Sequence, residues 1–219
     1  AFQRKAGVKV VPTERAANLE ISYNKMQIFK RSYQMYLLEG LLLLILFFIG
    51  IFIRKKDNTE KFKWPKRILI GLVVLTFVYH GAGIAMRWQI SGHAPWSNGY
   101  EAIVFIAWVT VIAGWAFLKK IEVVMPMALI LSAMMLFVSE LNLLDPEITP
   151  LVPVLKSYWL MIHVAIITGS YGFLGLSFVL GLLNLNFYLF QDYKKPHSIK
   201  IHFLHQMYRL QNYEIEFQN

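Results

Sequence analysis

Along the chain, long apolar runs alternate with short polar segments, and the runs have the length of membrane-crossing helices, about 20 residues each. Residues 36–53 are nearly all Leu, Ile and Phe and stop at Arg54, Lys55 and Lys56. A second run, 68–86, ends in Arg87 and Trp88, an interfacial anchor pair. A third, 102–118, stops at Lys119 and Lys120, and a fourth, 123–141, carries Pro126 near its first turn, where proline is tolerated. The fifth run, 157–190, would reach roughly 50 Å as a helix, beyond a hydrocarbon core of about 30 Å, so it is expected to tilt or protrude. Its Gly169, Gly172, Gly175 and Gly181, with Ser170 and Ser177, predict a small-residue face for close helix packing. Residues 1–34 read as a polar tail whose Tyr-, Met- and Phe-rich part, continuing to Tyr36, lies along the bilayer interface; residues 191–219 read as a polar C-terminal segment. The pattern predicts an all-α polytopic membrane helix bundle of about five transmembrane helices over residues 35–190, without internal repeats.

Composition agrees with that class: 57% of the 219 residues are hydrophobic and the mean hydropathy is +0.47. The formal charge of +9 reads as membrane topology, not as affinity for nucleic acid. Arg54, Lys55, Lys56, Lys61, Lys63, Lys66 and Arg67 follow the first run, Lys119 and Lys120 the third, and Lys194, Lys195 and Lys200 the fifth. The other two loops hold only Arg87 and Lys156. The positive-inside rule therefore puts the 87–101 loop, the proline-bearing loop and the N-terminus outside, and the C-terminus inside. The basic N-terminal tail runs against this assignment, and two basic hairpins outweigh it. Absence of cysteine excludes disulfides, zinc–cysteine sites and C-x-x-C-H attachment, so the chain is not itself a c-type cytochrome. It begins at Ala1 without a signal-peptide core, which points to a processed product or a segment of a longer polypeptide.

The richest chemistry lies in the loop from Arg87 to Glu101, which holds Trp88, His93, Trp96 and Asn98 among Gly92, Pro95 and Gly99. A plain connector needs none of this. Of six histidines, His80 and His163 sit inside apolar runs, where an ionisable group is a functional candidate. By helical rise they lie about 9 Å and 8 Å below the outer ends of their runs, at matching depth. A neutral imidazole there can ligate haem iron, relay protons or hydrogen-bond to a neighbouring helix. His202 and His205 are three apart, yet with no third ligand nearby they read, with His197, as part of a solvated segment. Trp88, Trp96 and Trp159 fall near the outer interface; interface anchoring accounts for Trp88 better than for Trp96. Trp108 and Trp115, seven apart, read as packing residues. Flat rings also stack on porphyrins, and Arg87 can pair with a propionate. No phosphate loop, nucleophile elbow, H-E-x-x-H or pair of broken transporter helices is present.

Two segments carry a family resemblance. Ser91-Gly-His-Ala-Pro-Trp-Ser-Asn-Gly-Tyr-Glu101, preceded by Arg87-Trp88 and followed by Phe105 and Trp108, resembles the S-G-H-x-P-x-S-N-x-Y-E-S-x-x-F-x-x-W signature of CcsA/ResC-type (system II) cytochrome c biogenesis proteins. Leu151-Val-Pro-Val-Leu-Lys-Ser-Tyr-Trp-Leu-Met-Ile-His-Val164, then Ser170-Tyr171, resembles the family's L-V-P-x-L-x-S-x-W-L-x-x-H-V…S-Y segment. The resemblance implies a bacterial inner-membrane protein that handles haem b at the external face, within a holocytochrome c synthase (haem lyase) assembly, for attachment to apocytochrome c. It also implies a ResB/CcsB-type partner, possibly fused in one chain. The family's external axial haem ligand maps onto His163; Trp96, Trp159, Asn98 and Arg87 are further cofactor-site candidates, as is His80, which like His93 matches no family haem ligand and is a candidate by its position alone. The family's W-G-x-x-W-x-W-D segment and the second external histidine after it are absent from residues 1–219, so this segment is expected to hold at most half of a bis-histidine site and to be catalytically incomplete alone. Two readings from other classes stay open: a quinone- or proton-handling respiratory subunit using His80 and Glu101, and a non-catalytic packing subunit.

Overall fold

The computed structural model describes residues 14–53, 60–118, 121–141, 143–147 and 157–189, and all its regular structure is helical. Six helices follow in order: α1 (Glu14–Met26), α2 (Ile28–Ile53), α3 (Glu60–Ser91), α4 (Gly99–Phe117), α5 (Val124–Glu140) and α6 (Tyr158–Leu189). Four stretches are long and apolar enough to cross a membrane: Asn18–Gly50, Trp64–Ser91, Gly99–Phe117 and Tyr158–Asn186. The fourth predicted run, 123–141, is the shorter apolar helix Val124–Glu140. The predicted C-terminal segment, with His197, His202 and His205, lies outside the described residues.

The N-terminal region differs from expectation. Part of the segment read as an interfacial tail is helical and enters the bundle: α1 packs on α3, and Ile28 and Phe29 are 2% and 3% exposed. Ile28, Ser32, Tyr36 and Glu39 repeat at helical spacing and face inward, while Lys30, Arg31 and Gln34 face out. A single left-handed residue, Gln27 (φ +44°), separates α1 from α2.

α2 packs against α3 and α5, and α4 against α5 and α6, with a lighter contact between α3 and α4. Two apolar clusters run through these seams, one holding Tyr36, Val104, Val111, Leu129 and Leu136, the other Phe47, Ala113, Val124 and Leu176. Because lipid is as apolar as a side chain, such helices associate through close packing and interhelical hydrogen bonds. Both devices are present. Ser132 Oγ on α5 donates to the Ala107 carbonyl on α4 at 2.9 Å. At Gly172 on α6, an added Cβ would lie 3.0 Å from the Thr110 backbone nitrogen of α4. Of the predicted small-residue face, Gly169, Gly172 and Gly175 seat α6 on its neighbours, whereas Gly181 faces open space and Ser170 and Ser177 are exposed. Trp108 and Trp115 are packing residues, as their spacing predicts. Phe77 stacks on Trp108 at 4.8 Å and tilts on Trp115 at 4.7 Å.

Candidate functional site

The loop between α3 and α4 is a folded cap on one end of the bundle, hereafter the loop end. α3 stops at Gly92, whose φ of +70° only glycine adopts without strain; its N–H donates to the Trp88 carbonyl at 3.0 Å. Ala94 and Pro95 turn inward and are buried, and Ser97 Oγ donates to the Ala94 carbonyl at 2.7 Å. His93 is half-buried, and its backbone N–H donates to Ser91 Oγ at 3.3 Å. Asn98 then caps α4: its Oδ1 accepts the Glu101 N–H at 2.8 Å, satisfying a donor the helix leaves open.

Arg87 and Glu101 form the electrostatic centre of this cap. Arg87 Nε donates to Glu101 Oε1 at 2.9 Å, with the two side chains 2% and 0% exposed. Glu101 Oε2 accepts the Ser97 N–H at 3.0 Å, so one carboxylate holds both the end of α3 and the loop. The guanidinium also lies 4.8 Å over the Tyr100 ring and donates to Tyr23 on α1 (3.5 Å) and to the Glu147 carbonyl (3.3 Å). Beside it opens a cavity of about 660 Å³, lined in part by Tyr23, Phe29, Lys30, Arg87, Tyr100 and Glu140. Arg87, expected from sequence as a propionate partner, thus directs three of its five N–H donors to groups inside the protein.

Trp96 ties the cap to α6. Its Nε1 donates to the Met161 carbonyl at 3.2 Å, and its ring packs on Phe105 (5.0 Å) and Trp88 (6.1 Å). His163 lies two residues beyond Met161. It is exposed, as is Trp159, which is 79% exposed four residues earlier and therefore on the same helix face. Among the described residues the His163 ring makes no hydrogen bond or ring contact, and no three His, Cys, Asp or Glu side chains gather as a metal site.

His80 has a different setting from His163. It is 0% exposed, edge-on to Phe29 at 5.5 Å and within 3.4 Å of the Tyr36 hydroxyl through Nδ1. Matching depth therefore does not make the two histidines neighbours: one is enclosed among α2, α3 and α4, the other is open on α6. As packed, His80 shows no face to a bulky cofactor, and its observed role is a hydrogen bond to a neighbouring helix. Sequence reasoning missed what lies beside it. Glu39, 6% exposed, accepts from Thr76 Oγ1 at 2.6 Å across the same α2–α3 seam. The signal was available, since Glu39 is the one charged residue within 36–53.

Comparison with known proteins places this arrangement. The family described as cytochrome C assembly protein matches residues 96–215, from the Trp96 tether through α4, α5 and α6. The chain belongs to the cytochrome c assembly family. Its relatives carry consistent names. Protein NrfI of Wolinella succinogenes is 34% identical over 207 residues, covering 94% of this chain and 22% of that protein. Cytochrome c biogenesis protein CcsA of Guillardia theta is 29% identical over 180 residues, 80% of this chain and 57% of that one. The CcsA protein of Prochlorococcus marinus is 37% identical over 106 residues, 46% and 33% of the two chains. The chain thus spans about a fifth of NrfI and a little over half of the Guillardia CcsA. Family membership and the four long apolar helices together make it an integral membrane protein.

Proposed function

We propose that this chain is the haem-handling membrane segment of a cytochrome c maturation system, working at the external face of the bacterial inner membrane. The observation that carries this reading is the open face of α6, where His163 and Trp159 lie one turn apart beside the Trp96 tether. Haem b is the cargo. An exposed neutral imidazole can ligate its iron, and an exposed indole one turn away offers a flat apolar surface to its ring. Trp96 and Asn98 hold the loop that borders this face, and Arg87 contributes by fixing Glu101 and the cap. His80 does not fit a ligand role, because it is enclosed. The basic hairpins, read by the positive-inside rule, support an external loop end.

A ResB/CcsB-type protein, fused or separate, and apocytochrome c with its C-x-x-C-H thiols are the partners this reading requires. The exposed apolar side chains Ile166, Leu174 and Phe178 further along α6 leave room for lipid or for further helices of the intact protein. Glu101 is taken up by Arg87 and Ser97, which weakens the alternative of a quinone- or proton-handling subunit built on Glu101.

The test is holocytochrome c formation in cells that depend on the intact protein. His163→Ala should lower the yield at least tenfold at unchanged protein level, whereas Gly181→Ala, at an open position, should leave it unchanged. Wild-type yield from His163→Ala would refute the assignment.

A further inference from the structure

The seam between α2 and α3 holds a line of polar side chains for which the loop-end site has no use. α2 contributes Ser32, Tyr36 and Glu39, spaced by four and three residues; α3 contributes Thr76 and His80, spaced by four. Each series therefore lies on one helix face. All five are at least 94% buried. Two contacts join the helices, Thr76 Oγ1 to Glu39 Oε1 at 2.6 Å and Tyr36 hydroxyl to His80 Nδ1 at 3.4 Å. Three buried polar atoms in the same seam have no hydrogen-bond partner among the described residues: Ser32 Oγ, Glu39 Oε2 and His80 Nε2. The Val104 backbone of α4 lies near the His80 ring, yet no hydrogen bond to Nε2 forms.

Buried polar groups are rarely left unsatisfied, and three in one seam ask for a common explanation. Buried apolar residues of one cluster flank the seam along the helices: Leu43 and Val73 about one turn beyond Glu39 and Thr76, and Ile28 and Phe29 about one turn before Ser32. Ile28 and Phe29 close down because Gly83 opposite has no side chain; a Cβ there would lie 2.7 Å from Ile28 Cγ2. Phe29 touches His80 on one side and lines the loop-end cavity on the other, so one aromatic layer separates the seam from water.

Charge decides what Glu39 holds. On α2, Lys30 and Arg31 are exposed toward the loop end. On α3, Arg87 is engaged by Glu101. α4 carries only Tyr100 and Glu101 as ionisable groups and α5 only Glu140, all at the loop end. No cation among the described residues faces the Glu39 carboxyl. An unpaired carboxylate in so dry a place is costly, whereas a carboxylic acid can accept from Thr76 through Oε1 and donate through Oε2.

We propose that the Ser32–Tyr36–Glu39–Thr76–His80 seam is an internal proton-binding site, with the proton on Glu39 and ordered water satisfying the three open polar atoms. A proton leaving Glu39 Oε2 passes through that water to the loop-end cavity when the Phe29 ring moves aside, and returns the same way; no bond to carbon changes and no electron is transferred.

Infrared difference spectroscopy on the intact protein in nanodiscs tests this. At neutral pH, the wild type minus Glu39→Gln spectrum should contain a carboxylic-acid C=O stretching band that shifts in D2O, and Phe29→Ala should make that shift faster. Absence of the band, with Glu39→Gln melting like the wild type, overturns the proposal. A band that does not shift in D2O also overturns it, because the acid is then cut off from water. Should Glu39→Gln fail to fold, Thr76→Val reads the same group with Glu39 retained. Its band should move to higher frequency on losing the donor, and an unmoved band contradicts the assignment.

Discussion

Replacing Glu101 with alanine removes the carboxylate that joins the end of α3 to the loop. The variant loses the 2.9 Å bond from Arg87 Nε and the 3.0 Å bond from the Ser97 N–H, and leaves a guanidinium that is 2% exposed without its anion. Breaking a buried ion pair from one side costs about 3–5 kcal/mol. Arg87 keeps its Tyr23, Tyr100 and Glu147 contacts and borders the 660 Å³ cavity, where water can reach a freed guanidinium. The expected cost is therefore at the low end, about 3 kcal/mol. For a chain of this size that corresponds to a fall in melting temperature of roughly 6–12 °C, read by tryptophan fluorescence in nanodiscs. Arg87→Met/Glu101→Ala should recover part of the loss, because the orphaned charge is gone and only the packing and loop bonds are missing. A fall under about 2 °C for Glu101→Ala, or a double variant no better than the single, would refute the reasoning that this pair holds the cap.

Two further outcomes follow from the packing and the cap. Gly172→Ala places a Cβ 3.0 Å from the Thr110 nitrogen and 3.2 Å from the Ile106 carbonyl, atoms fixed in α4. It should destabilise by about 1–3 kcal/mol, while Gly181→Ala, with nothing within 4 Å, should be neutral or slightly stabilising; thermal melts of the pair decide. Asn98→Ala removes the Oδ1 acceptor for the Glu101 N–H and should cost about 1 kcal/mol, with Asn98→Asp retaining most of it, measured by hydrogen exchange of the first turn of α4.

The helices were legible because membrane spans write themselves as long apolar runs ended by basic residues. The predicted 102–118, 123–141 and 157–190 end within three residues of α4, α5 and α6, and 68–86 falls inside the longer α3 (Glu60–Ser91). The start of α2 was not legible in that way. Lys30, Arg31 and Gln34 interrupt the apolar run, yet they sit on the outward face of a helix whose inward face is Ile28, Ser32 and Tyr36. Hydropathy averages over both faces and so reads an interfacial tail. The Arg87–Glu101 pair was visible as two residues but not as a bond, since the intervening turn at Gly92 sets their approach and helical spacing says nothing across it. His80 and His163 stood out as intramembrane histidines, while burial, which separates them, depends on which neighbours each helix meets. Glu39 was overlooked in a leucine-rich run, although its lone charge marked it.

The most direct test of the haem assignment is the Soret spectrum of the intact protein purified from haem-replete cells, compared with His163→Gly in the presence and absence of added imidazole. The account predicts a band that is lost or shifted in His163→Gly and recovered by imidazole, which fills the place of the missing ring. A Soret band identical in wild type and His163→Gly, without any response to imidazole, would contradict it.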